Sequence, residues 1–137
     1  MIDLGTLGGT IASAVAANAA GQVVGDSRLP GDVEVVHVPG KSPGEIAFHL
    51  PHSNAVIVGD VVIGVPAGEL STYPEKVIDD MDELHRSAAR LLEYDFDALL
   101  LCDGESIPQG GKQKLEEVVS HIRRAGPDSL VGPYLRC

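Results

Sequence analysis

Tryptophan is absent from this sequence, and aromatic residues of all kinds make up only 4% of it. A core built on aromatic clusters is therefore excluded, and apolar burial falls to Val, Ile, Leu and Ala. Positive charge is scarce as well: ten Lys and Arg stand against twenty Asp and Glu, a formal net charge of −10. Phosphates would be repelled by that balance, so no nucleic-acid partner is expected. The two cysteines, Cys102 and Cys137, are too few for a disulfide framework, and a reducing cytoplasm fits them. No apolar run is long enough to cross a bilayer, so no membrane partner is expected. The first residues lack the basic flank and long apolar stretch of a secretory signal.

What is present suits one domain with a core of its own: 137 residues, 44% of them hydrophobic. Residues 1–137 are read as a single domain, with a distinct β-rich segment over 1–28 and the core over 29–137. Residues 1–28 are rich in Gly, Ala and Thr, and two local readings stand for them. Thr10 could cap an Ala-rich helix from Ile11 to Ala20 that ends at Gly21. Alternatively, Ile11–Ala17 and Gln22–Asp26 form a hairpin around Asn18-Ala19-Ala20-Gly21.

From Leu29 onward the pattern is regular. Strands are predicted over Val33–Val38, Glu45–Leu50 and Asn54–Val58, with Val61–Val65 a further apolar run that either extends the last of these or starts another strand. Pro74 at a first helical position opens a helix that runs to about Glu93, with Val77, Met81, Leu84, Ala88 and Leu91 at helical spacing. Its acidic residues Asp79, Asp80, Asp82 and Glu83 read as a solvated face. Asp97–Cys102 reads as a buried strand with Cys102 in the core, and Lys112–Arg124 as a second helix. Residues 103–111 read as an ordinary strand-to-helix loop, since Asp103 and Glu105 would repel a phosphate.

Two turns hold the candidate site. The first is Pro39-Gly40-Lys41-Ser42-Pro43-Gly44, and the second closes Val56-Ile57-Val58-Gly59-Asp60. A third polar stretch is Leu99-Leu100-Leu101-Cys102-Asp103-Gly104-Glu105. An ammonium at Lys41 has donors and no lone pair, so it cannot ligate a metal while protonated, but it can neutralise a carboxylate. The other candidates are histidines. His37 is placed to hydrogen-bond near the first turn, and His49 and His52 lie at a hairpin end. His85 and His121 read as helix-surface residues.

The two turns and the third stretch, in that order over residues 33–125, resemble the C-terminal half of a metallo-β-lactamase-fold hydrolase. The resemblance implies an α+β fold: a layered sheet with helices on one face, half of an αββα sandwich, here with an N-terminal β-hairpin. It also implies where the chemistry departs. Where the family carries a histidine ligand in the first turn, this chain has Lys41. The bridging aspartate corresponds to Asp60. The later loop, usually Gly-His-Gly, reads Cys102-Asp103-Gly104, and no His-x-His-x-Asp-His occurs. The expected site is thus vestigial, built of Lys41, Asp60 and Asp103, with Lys41 pairing Asp60, Asp103 or both. No catalysis and no cofactor are expected, and the function is that of a structural or binding module of unnamed ligand. The alternative is a divergent hydrolase that binds zinc, iron or manganese through Asp60, Asp103 and His37. Half a sandwich leaves a sheet face open, so a homodimer is expected. Separately, Asp3–Thr10 followed by Asn18–Gly25 resembles one HAF-type repeat, a short β unit that cannot bury its own apolar face.

Overall fold

A computed structural model describes the backbone of residues 11–17, 23–29 and 31–125, and the side chains of 31–121. Six strands form one sheet in chain order: β1 (Ile11–Ala17), β2 (Val23–Leu29), β3 (Val33–His37), β4 (Ile46–Leu50), β5 (Ala55–Val58) and β6 (Ala98–Leu101). Neighbours are antiparallel except β5 and β6, which run parallel. That parallel pair needs a crossover, and residues 59–97 supply it with helix α1 (Met81–Leu91). Helix α2 (Gly111–Ala125) follows β6.

Of the two N-terminal readings, the hairpin is the one formed. β1 pairs antiparallel with β2, Ile11 opposite Arg28 and Ala17 opposite Val23, with a bulge between Ala14 and Ala16. Cross-strand pairing outweighs the helix preference of alanine, which is worth only a few tenths of a kcal/mol per residue. The repeat resemblance rests on residues 3–10 and 18–25, most of which lie outside the described residues.

Cross-strand register sorts the side chains by face. Val36, Ala47, Val58 and Leu101 are successive partners on the side covered by helices. There they join Val56 and Leu99 with Leu84, Ala88 and Leu91 of α1 and Leu115, Val118 and Val119 of α2 in one core. Val35, Phe48, Ile57 and Leu100 are partners on the opposite side. The result is an α+β layered fold with both helices on one face.

Three expectations change. The helix expected from Pro74 begins at Met81: Pro74 precedes a single 3-10 turn, Glu75–Val77, and Ile78 is extended (φ −112°, ψ 128°). Asp80 starts the helix, its side chain accepting the Glu83 N–H at 2.9 Å. Val77 consequently lies outside the helix and is exposed. Val61–Val65 is no strand. It makes only isolated bridges, Ile63 with Ser71 and Gly64 with Gly104, while Val61 and Val62 are fully buried. Cys102 is exposed rather than in the core, because β6 stops at Leu101, whose N–H bonds the Ser106 hydroxyl at 3.0 Å and turns the chain.

Candidate functional site

The sheet's connectivity gathers the polar turns at one edge. β3 ends there, β4 begins there, and β5 and β6 both end there, because His37 pairs with Ile46, Ala47 with Val58, and Val58 with Leu101. The Pro39–Gly44 turn, the Gly59-Asp60 step and the loop at Asp103 therefore become neighbours.

α1 fastens the first turn. Arg90 donates to the His37 carbonyl at 2.7 Å and Ser87 to the Pro39 carbonyl at 2.6 Å. The Asp80 N–H donates to the Gly40 carbonyl at 2.9 Å. Gly40 has φ +139°, and a Cβ there would collide with the Leu84 backbone, so only glycine lets turn and helix meet this closely. His37 adds a strut within the turn, its Nε2 bonding the Pro43 carbonyl at 2.8 Å. Gly104, at φ +81°, lies backbone to backbone against Gly64, which seats the third loop beside the crossover. The pair of bonds Gly64 N–H to Asp103 O and Glu105 N–H to Gly64 O, both 2.9 Å, holds that contact.

Within this frame Lys41 and Asp60 meet. The Lys41 Nζ lies 3.7 Å from an Asp60 carboxylate oxygen, with the two side chains 25% and 40% exposed. Lys41 also stands 5.7 Å from the centre of the Tyr73 ring, within cation–π range. Asp103 forms no ion pair with Lys41; it accepts a short hydrogen bond from the Tyr73 hydroxyl. Glu45 completes the group by accepting the Asp60 N–H, also in a short bond. Three carboxylates, one phenol and one ammonium thus form a single linked group.

The electrostatics follow from that surplus. Burial raises the Glu45 pKa above its ordinary value. The Asp60 N–H opposes this, the Asp60 charge adds to it, and Lys41 lowers it again. Burial likewise raises the Tyr73 pKa, and the hydrogen bond to Asp103 and the charges of Asp60, Asp103 and Glu45 raise it further. Tyr73 therefore stays a neutral donor to Asp103.

Glu45 and Tyr73 were not among the residues singled out from sequence. Glu45 had a signal: it shares strand parity with the core residue Ala47, and a carboxylate on the core side of a strand needs a partner. Tyr73 had none, since it lies in the irregular crossover and meets Asp103 thirty residues later.

The remaining candidates lie elsewhere. His49 is buried, with Nδ1 3.1 Å from Glu34 and Nε2 2.9 Å from the Asp95 carbonyl. His52 is exposed and 3.3 Å from Asp32, so the two histidines do not converge. His85 departs from its surface reading. It is half-buried, its Nε2 is buried without a hydrogen-bond partner, and burial lowers its pKa. His121 is exposed. In the loop before α2 the Gly110 and Gly111 N–H groups are taken by the side chain and carbonyl of Asp97, at 2.8 and 2.7 Å, and so are not turned to a phosphate.

A metal ion would need several converging oxygen or nitrogen ligands. Among the described residues no group of three His, Cys, Asp or Glu is placed to hold one. Asp60 faces an ammonium, Asp103 a phenol, and the His37 Nε2 the Pro43 carbonyl. This donor set does not fit a catalytic zinc, iron or manganese.

Known proteins share the fold. An archaeal metallo-beta-lactamase superfamily protein from Sulfolobus tokodaii superposes with a TM-score of 0.54 at 16% identity, covering 68% of this chain and 35% of that one. DIM-1 metallo-beta-lactamase exposed to ceftazidime gives 0.53 at 16% identity, over 69% of this chain and 44% of that one. A metallo-beta-lactamase from Pontibacter korlensis gives 0.52 at 15% identity, over 83% and 46%. The match spans less than half the length of each of these structures, and at such identities it speaks for the fold alone. No curated protein matches the sequence. The family model described as Metallo-beta-lactamase superfamily matches residues 17–122, well over half of the chain, and this protein belongs to that superfamily.

Proposed function

We propose that this chain is a non-catalytic member of its superfamily, a structural or binding module whose Lys41 ammonium does the electrostatic work of a bound cation. The observation that carries this reading is the Lys41–Asp60 approach of 3.7 Å, at the place where a ligand cluster would have to form. A carboxylate cluster without a counter-charge is costly even when partly solvated, and a covalently attached cation offsets that cost without depending on metal supply. The same cation removes the means of activating water, since an ammonium neither binds water as a Lewis acid nor lowers its pKa. A reducing, cytoplasmic setting goes with this reading, because Cys102 is a free, exposed thiol. No helix among the described residues is long and apolar enough to cross a membrane.

The test is elemental analysis of protein produced with ample zinc, iron and manganese, joined to assays on simple ester, thioester and lactam substrates. We expect substoichiometric metal and no hydrolysis above background. One equivalent of metal that survives dialysis, lost on substitution of Asp60 or Asp103, would overturn the reading.

A further inference from the structure

A lysine ammonium carries rotatable donors on a flexible stem, so nothing in Lys41 itself selects one carboxylate among Glu45, Asp60 and Asp103. The folded group does select. The Lys41 Nζ lies 3.7 Å from Asp60, and Asp103 forms no ion pair with it. Glu45 is engaged by the Asp60 N–H. Tyr73 touches both sides of the choice. Its hydroxyl donates to Asp103, and its ring centre stands 5.7 Å from the Lys41 Nζ. Among the described residues no hydroxyl or N–H donates to the Asp60 carboxylate, so Asp60 is the one left for the ammonium.

We propose that Tyr73 is the positioning residue of this group: its hydroxyl occupies Asp103, its ring braces the ammonium, and together they direct Lys41 to Asp60. The inference rests on the reading of Lys41 as the resident cation and adds what decides which carboxylate that cation serves. A phenol is fitted to both tasks. Its hydroxyl donates a hydrogen bond without adding charge, so Asp103 has a partner and the ammonium is not divided. Its ring face is negative and attracts a cation. Burial, the hydrogen bond to Asp103 and the neighbouring carboxylates all hold the Tyr73 proton in place at neutral pH. The backbone sets the Tyr73–Asp103 contact from both sides, through one short segment, Ile63 to Val65. Ser71, two residues before Tyr73, exchanges two 2.9 Å backbone bonds with Ile63, and its hydroxyl donates to the Val65 carbonyl at 2.6 Å. The Asp103 carbonyl accepts the Gly64 N–H at 2.9 Å. Ring and carboxylate are thus fastened to the same three residues before Lys41 arrives from the first turn.

Double-mutant cycles in urea unfolding at low salt decide it. Lys41→Met is paired with Asp60→Asn and with Asp103→Asn, each in the wild-type chain and in Tyr73→Phe, which keeps the ring and removes the donor. Tyr73 is half-buried, so loss of one hydroxyl leaves the fold in place, which circular dichroism confirms. A merely structural role for Tyr73 would weaken every member of a cycle alike and cancel. In the wild-type chain we expect Lys41 and Asp60 to be coupled by about twofold to fivefold in the unfolding constant, as for a partly solvated ion pair, and Lys41 and Asp103 not at all. In Tyr73→Phe the Asp60 factor should fall by about half and an Asp103 factor of about twofold should appear. Equal factors for Asp60 and Asp103 in the wild-type chain would overturn the proposal, as would factors that Tyr73→Phe leaves unchanged. A wild-type chain with no Lys41–Asp60 factor would instead remove the reading of Lys41 as the resident cation, and this inference with it.

Discussion

The sheet has two polar ends, and they treat charge differently. At one end His49 and Glu34 approach to 3.1 Å with side chains only 10% and 23% exposed. The second imidazole nitrogen of His49 bonds the Asp95 carbonyl, and its ring lies 5.0 Å from that of Tyr94. Each polar atom of that imidazole has a partner, and the group ties β3, β4 and the segment before β6 together. At the other end Lys41 faces Asp60, Glu45 and, through Tyr73, Asp103. Charges there do not balance, burial is less, and one ammonium serves several carboxylates. The first end is a structural strut. The second is a cluster of carboxylates with a single ammonium among them. Burial alone does not distinguish function from structure; the surplus of one sign does.

Three substitutions test that contrast, taken from the largest expected effect to the smallest. His49→Ala should cost about 2–3 kcal/mol, because it removes a buried ring from beside Tyr94 and leaves the Asp95 carbonyl without its donor. Urea unfolding of the variant would show it, and a loss below about 1 kcal/mol would deny the strut role. Lys41→Met should cost about 1 kcal/mol at low salt and less as salt rises, since the pair is partly solvated and screened. Melting temperatures at two ionic strengths give the comparison; a salt-independent loss would mean that Lys41 acts by packing.

Glu45→Gln should have the opposite sign and the smallest size. The Glu45 pKa is raised in the folded state, so its protonated form is the one folding favours. Its contribution is fully present below the unfolded value of 4.5 and is lost as pH rises through the higher folded value. The amide variant, whose oxygen still accepts the Asp60 N–H, should therefore be more stable than wild type at neutral pH by less than about 1 kcal/mol. That advantage should disappear below pH 4.5. A variant equally stable or less stable at pH 7 would mean that the Lys41 attraction outweighs burial at this position.

Much of this was legible along the chain. The Pro39–Gly44 and Gly59-Asp60 turns could be read because proline and glycine restrict or free the backbone locally. Strands β3, β4 and β5 could be read from short apolar runs between turn residues. The start of α1 misled, because Pro74 favours a first helical position but Asp80 holds the stronger cap. Cys102 misled because an apolar run gives no sign of where its pairing stops. Lys41 and Asp60 could be paired as a hypothesis from their places in the two turns. Tyr73 could not be placed at all, and Glu45 only by its strand parity.

By itself, the order of residues determined the turns, most of the strands, the absence of a histidine-rich ligand set and the excess of negative charge, because these depend on backbone restriction and composition over a few positions. The folded sheet alone decided that Tyr73 would take Asp103, that Glu45 would take the Asp60 N–H, and that both described helices would pack on the face opposite Phe48 and Ile57. Those outcomes depend on which strand ends share an edge, and chain closure over tens of residues sets that where no local preference reaches.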